Sequence, residues 1–273
     1  MAKTLRIAIA SQKGGVGKTT VSLNLALALA ARGRRTILAD LDPQGAVGLS
    51  LAKADTEWAG LAELLMHDCP VSDAIVVTQA PNLSLLPRGR LDPIDVCEFE
   101  ETVRSAEALE PALDAASEGY QFMLLDTPSG MGSVTRGALA VADFVIVPTQ
   151  ASPLGVRSIA QALRVIDHVR QRENRRLSLL GILPTMVKLT TEASQQAVTD
   201  LWNGFSGVFD TVIPFSDVFA QASHRGVPID YLAGPSAPEA RRFYILAAEI
   251  ETRISDADLK ETDDERRPER RLI

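Results

Sequence analysis

The sequence predicts an α/β fold: a doubly wound, mostly parallel sheet with helices on both faces. Three observations carry that expectation. Short apolar or β-branched runs alternate with longer amphipathic stretches along nearly the whole chain. The runs are continuously apolar, as strands buried on both faces are. The repeated order strand, helix, strand implies right-handed crossovers. The strand runs fall at residues 5–10, 36–39, 121–125, 144–147, 179–183 and 209–213, and the helical patterns at 19–31, 94–117, 133–141, 154–172, 192–202 and 237–254. Residues 66–92, irregular and rich in Pro, Asp and Gly, read as a peripheral excursion. No internal repeat or linker divides the chain. One domain is expected over 1–254, followed by a charged tail, 255–273, expected to be disordered or frayed.

Composition sets the outer bounds. In 273 residues, 46% are hydrophobic and 23% charged, which supplies one large core. A net charge of −7 excludes a general attraction to nucleic acid, so any DNA contact needs a local basic face. Cys69 and Cys97 lack metal-ligand spacing and fit a reducing compartment. Met1 leads directly into a strand-like run with no signal-peptide pattern, and no apolar stretch reaches about 18 residues. A cytoplasmic protein that spans no membrane is therefore expected. His67, His168 and His224 stand alone, and Trp58 and Trp202 have no basic cluster beside them, so packing is the expected role of these side chains.

The chemistry is concentrated just after the first strand. Ser11-Gln12-Lys13-Gly14-Gly15-Val16-Gly17-Lys18-Thr19-Thr20 joins that strand to a helix. Glycines let a backbone turn its N–H groups inward around phosphate oxygens, and a helix N-terminus adds partial positive charge at the same point. In this pattern Lys18 reaches the β- and γ-phosphates, and the Thr19 hydroxyl is a ligand for Mg²⁺. A chance glycine-rich turn would lack the strand, the helix and the Gly-Lys-Thr register. The second strand ends in Asp40-Leu41-Asp42-Pro43-Gln44-Gly45, and carboxylates at such a strand end lie where open sheets bind ligands. A further apolar strand ends in Asp126, the Walker B pattern of a Mg²⁺-holding carboxylate.

A plain Walker A motif has Gly six residues before its lysine; here Gln12 stands there, followed by a second lysine, Lys13. The run KGGVGKTT resembles the deviant Walker A of the ParA/MinD/Soj ATPases, and DLDPQG resembles their switch I. Asp126-Thr127-Pro128-Ser129 resembles their switch II, with Ser129 in place of a second proline, and the likeness runs from about residue 4 to 254. The resemblance implies an ATPase using ATP and Mg²⁺, weak alone and stimulated by a partner. It implies that Lys13 reaches across an ATP-dependent homodimer to the partner's nucleotide. It also implies that Asp42 orients the attacking water and helps hold Mg²⁺. Asp40 would be a neighbouring support, open to pairing with a lysine. Pro214 and Thr185-Met186 would close over the adenine.

The engine does not name the task. The resemblance leaves a cargo-positioning ATPase that holds DNA non-specifically and answers to a ParB-like or other adaptor, a membrane-surface ATPase like MinD, an electron-transfer ATPase, or an ATP-dependent synthetase of the cobyrinate type. A membrane helix would need large apolar residues on one face, and the tail has two apolars among its last eleven residues. A bridging cysteine is missing from residues 127–136, and DPQG favours the partition branch over the synthetases. Residues 151–190 carry seven bases against two acids, whereas 91–118 carry nine acids and only Arg104. Arg157, Arg164, Arg172, Arg175, Arg176 and Lys188 are accordingly the candidate DNA contacts, set against the plainer reading of a solvated helix face. Many chromosomal relatives carry arginines just after the Ile-Pro at 213–214, where this chain reads Phe215-Ser216-Asp217. A nucleoid-bound form and a plasmid, chromosomal or protein-assembly cargo would follow from the first reading.

Overall fold

The computed structural model describes residues 3–51 and 58–266. The chain begins β1 (Leu5–Ile9), α1 (Lys18–Ala31), β2 (Thr36–Asp40), α2 (Ala46–Leu51), α3 (Leu61–Met66), α4 (Val71–Ala74), β3 (Val76–Val77), β4 (Leu83–Leu86). It continues α5 (Val96–Arg104), α6 (Ala106–Ala116), β5 (Phe122–Asp126), α7 (Ser133–Val141), β6 (Phe144–Gln150), α8 (Pro153–Arg172), β7 (Ser178–Thr185). The helices α9 (Glu192–Gly204), α10 (Asp217–Arg225), α11 (Ile229–Ala233) and α12 (Pro238–Arg266) follow.

The seven strands lie in the order β3-β4-β2-β5-β1-β6-β7, parallel throughout except at the β3–β4 edge. From β1 the chain crosses one way over α1 to β2. From β5 it crosses the other way over α7 to β6. The order therefore reverses around β1, and the crevice such a reversal opens lies at the C-terminal ends of the strands. Alternate side chains divide the core between the two faces. Ile7 and Ile9 meet α1 and α12 on one, while Ala8 and Ala10 meet the α5–α8 layer on the other. Helix α1 is buried from Val21 to Ala30, and that suits a helix that is apolar on all sides.

The doubly wound expectation holds, and four local ones are corrected. The excursion at 66–92 contains β4, a full member of the sheet paired along β2 from Thr36↔Leu83 to Ala39↔Leu86. A four-residue strand enclosed by Pro81 and Pro87 is too short to show a period. The single helix expected over 94–117 is two, broken where Ser105 turns extended at ψ 110. Helix α7 presses on the last turn of α5 so closely that a Cβ on Gly137 would lie 2.2 Å from the Val103 carbonyl oxygen. The helix expected to end at 254 runs on to Arg266. The charged residues there are ordinary helix formers, and Pro268 is the next breaker. Residues 267–273 of the expected tail lie outside the described residues.

The fourth correction concerns 209–213, which is extended but forms no strand. It touches β7 only at isolated points, with Phe209 N–H donating to the Ile182 carbonyl (2.9 Å) and Ile213 N–H to that of Pro184 (2.9 Å). Pro184 has no N–H to return, so a continuous ladder cannot form. Arg253 of α12 holds the segment instead. Its guanidinium donates to the carbonyls of Leu180 (3.0 Å), Gly207 (2.9 Å) and Val208 (2.8 Å) and lies 4.1 Å above the Phe209 ring. Arg253→Ala is expected to lower the unfolding free energy by roughly 2–3 kcal/mol in urea denaturation, because three carbonyls lose a charged donor. A loss below about 0.5 kcal/mol would mean that water replaces the guanidinium freely.

Candidate functional site

The phosphate loop connects β1 to α1 across the C-terminal edge of the sheet. Gly15 and Gly17 take left-handed backbone angles, φ 70 and 89, which side-chain-bearing residues adopt only under strain. Gly17 is the N-cap of α1 and supplies no side-chain cap, so the first amides of the helix remain available to an anion. Gly14 lies close against Ser129, where a Cβ would stand 3.1 Å from the hydroxyl oxygen. Val16 is buried, and its carbonyl accepts the Thr185 hydroxyl at 2.9 Å, which pins the loop to the end of β7. Lys13 is half-buried in this loop, and Thr20 is half-buried in the first turn of α1.

Lys18 is buried, and that burial lowers its pKa although Asp126 and Asp42 pull the other way. Its ammonium donates to Ser129 Oγ at 3.4 Å, a long contact for a charged donor. Asp126, at the end of β5, is fully buried and accepts the Thr19 hydroxyl at 2.8 Å and the Ser22 hydroxyl at 2.7 Å. Desolvation pushes its pKa up; the two hydroxyls and then Lys18 draw it down. The parallel register sets Asp40 beside Asp126, and Asp40 is raised by its own burial and then by that neighbouring charge.

Among the described residues Asp40 pairs with no lysine. Its carboxylate accepts the N–H groups of Asp42 (3.1 Å) and Val47 (3.0 Å). Asp42 is half-buried and accepts the Gln44 N–H at 2.9 Å. Switch II is tied to the phosphate loop by Gly130 N–H donating to the Ser11 carbonyl and by the Thr127 hydroxyl donating to the Ile9 carbonyl. Beyond Gly17 a cavity of about 290 Å³ is lined by Val16, Thr20, Thr185, Met186, Ile213 and Pro214 among others. It is the size and character of a pocket for a base and sugar.

The structure thus brings together Lys13, Gly14, Gly15, Val16, Gly17, Lys18, Thr19, Thr20, Asp42, Asp126 and Pro214 at one edge. Sequence reasoning missed Ser22, one helical turn after Lys18, and also Ser129 and Thr185 as partners. The donor set fits Mg²⁺, which takes one or two carboxylates or hydroxyls and completes its shell with waters and substrate phosphates. Thr19 and Asp126 would hold it, with Asp42 adjoining.

The basic candidates lie elsewhere. Arg157, Arg164 and Arg172 are exposed on α8 within an arc of about 80°, and about 22 Å of helix separates the first from the last. Arg175 and Arg176 continue past its end, and Arg176 is met by Glu110 at 3.4 Å. Lys188 stands apart beyond β7, with its ammonium 4.1 Å from the centre of the Phe215 ring.

A parallel sheet that presents a glycine loop and an uncapped helix N-terminus beside a buried lysine and a buried strand-end aspartate is that of a P-loop nucleoside triphosphatase. Comparison with known proteins agrees. Residues 4–179 match the family described as AAA domain. The chain is 39% identical to the chromosome-partitioning ATPase Soj of Thermus thermophilus over 94% of its own length and 99% of the relative's. It is 35% identical to the chromosome partitioning protein ParA of Caulobacter vibrioides over 95% and 98%. Among solved structures, cobyrinic acid a,c-diamide synthase from Mycobacterium smegmatis with bound ATP analog and magnesium superposes with a TM-score of 0.74 at 31% identity, covering 90% and 93%. The chain belongs to the ParA/MinD family of P-loop ATPases and is similar to its ParA and Soj members over nearly its whole length.

Lys18→Ala is expected to abolish ATP binding in a fluorescent-analogue titration, because the phosphates lose their buried cation. An affinity within a few-fold of the unaltered protein would remove Lys18 from the phosphate site.

Proposed function

We propose that this protein is a ParA-like ATPase that dimerises around Mg-ATP, holds DNA without sequence preference and positions or segregates a cargo. An adaptor of the ParB kind triggers hydrolysis and release. The observation that carries the reading is the pair Lys13 and Lys18, five residues apart in a loop wrapped around one anion site. One cation is buried and committed to its own nucleotide; the other is half-buried in the loop. A second cation serves a phosphoryl group whose charge is spread over several oxygens in the transition state, and phosphoryl transfer depends on such positioned charge. Lys18 and Lys13 supply it, Asp42 orients the water, and Thr19 and Asp126 hold the metal. The partitioning role of the relatives supports a nucleoid-bound ATP form in the cytoplasm.

The membrane-surface alternative finds less support. The sequence of the last turns of α12 is dominated by charge and rich in acids, which anionic lipid would repel. For DNA, the arginine stripe on α8 and its extension at Arg175 and Arg176 offer phosphate contacts that two subunits double, so that binding follows dimerisation.

Lys13→Ala is expected to leave nucleotide binding by the monomer within about threefold and to abolish dimerisation in light scattering with a non-hydrolysable analogue, as a lysine acting across the dimer requires. Dimers of unaltered strength would make Lys13 an ordinary loop residue. The DNA reading is tested by mobility shift on unrelated duplexes with ATP and with ADP at two salt concentrations. The ATP form is expected to bind all duplexes alike, with log K falling against log[salt] by roughly 0.9 per phosphate contact. Arg175→Glu with Arg176→Glu should weaken every duplex equally. No binding by the ATP form at low salt refutes the DNA track and leaves the ATPase assignment standing.

A further inference from the structure

Switch I runs from β2 to α2 and carries Asp42 near its start. Asp40 ties its two ends to one buried carboxylate through the N–H groups of Asp42 and Val47. The outer side of the loop is held from a different strand. Arg88 follows β4, and its Nη1 donates to the Pro43 carbonyl at 2.8 Å while Nε donates to the Gly89 carbonyl at 2.9 Å. Gly45 lies flat against the same guanidinium, where a Cβ would stand 3.4 Å from Arg88 Cζ. Gly45 sits at φ 66, and its N–H closes the turn onto the Asp42 carbonyl at 2.8 Å. Asp40, Gly45 and Arg88 line one small cavity of about 50 Å³.

We infer that Arg88 is a positioning residue for ATP hydrolysis: it clamps Pro43 and Gly45 from β4 and so holds the loop in the shape that aims Asp42 at the attacking water. The inference rests on the proposed role of Asp42. A guanidinium is suited to the task because its planar fork fixes two carbonyls at once and keeps its charge at any working pH. Among the described residues Arg88 makes no hydrogen bond to the phosphate loop and does not line the cavity beyond Gly17, so the clamp acts on turnover and not on nucleotide binding. Hydrolysis depends steeply on such placement, since a displacement of about 1 Å in a reacting group can cost on the order of a hundredfold in rate.

The test compares the full-length protein with Arg88→Ala, Arg88→Gln and Arg88→Lys, using Asp42→Ala as the reference for a lost water-orienting group. Arg88→Ala and Arg88→Gln are expected to lower kcat by about ten- to a hundredfold. Their affinity for a non-hydrolysable ATP analogue should stay within about twofold of the unaltered protein. Arg88→Lys should recover part of kcat, and amide exchange at Asp42 and Val47 should rise in the Ala and Gln variants. An unchanged kcat, or an affinity that falls in step with kcat, overturns the inference while leaving the ATPase reading intact. Full turnover in Asp42→Ala overturns the role proposed for Asp42 and the inference with it.

Discussion

Two carboxylates buried side by side at the ends of adjacent strands are the constraint on which the rest of the structure turns. Asp40 and Asp126 are fully enclosed and stand opposite one another in the β2–β5 register. Removing such groups from water is costly, and each also raises the cost of ionising the other. The fold offsets this with hydrogen bonds from fixed neighbours: two hydroxyls of α1 for Asp126, and for Asp40 the backbone amides of Asp42 in switch I and Val47 in α2. Helix α1, switch I and β5 are thereby locked in one arrangement. Two buried carboxylates outweigh the positive charge set against them, since among the described residues Lys18 is the one cation that bears on Asp126. Mg²⁺ would complete what the protein leaves short, in a site whose dipoles are already oriented.

The helix N-terminus and the cluster depend on each other. Lys18 opens α1, Thr19 follows it, and Ser22 lies one turn on, so a single helix presents three of the groups that face Asp126. The burial of α1 between the sheet and α12 leaves that helix no freedom to rotate. A rigid helix and a rigid strand end make the nucleotide site a property of the core, and hydrogen bonds from that core anchor both switch loops.

How much of this the sequence disclosed follows from the kind of signal each part leaves. The phosphate loop, Asp42 and Asp126 were legible because their residue types are dictated by chemistry at fixed spacing. The five parallel strands β1, β2, β5, β6 and β7 were legible because burial on both faces makes them mostly apolar. Strand β4 was hidden by its length and its flanking prolines. Residues 209–213 have the composition of a strand, yet Pro184 and Arg253 decide their fate from elsewhere in the chain. Asp40 read as a neighbouring support open to a lysine, since nothing local says that two backbone amides will return to it. The arginines at 157, 164 and 172 were legible as charge. That they share one exposed stripe follows from the helix period, and the Glu110 partner of Arg176 from long-range packing.

The margins of the sheet bear on how copies of this chain can associate. One margin ends in β3, two residues long and antiparallel to its neighbour. The other is covered by the segment around Val208 and Phe209, and the guanidinium of Arg253 occupies its carbonyls. Among the described residues neither offers the long row of free amides and carbonyls that templates strand addition. Growth into a continuous cross-subunit sheet is therefore disfavoured at both ends. Association is left to side-chain surfaces, which can part again when their chemistry changes.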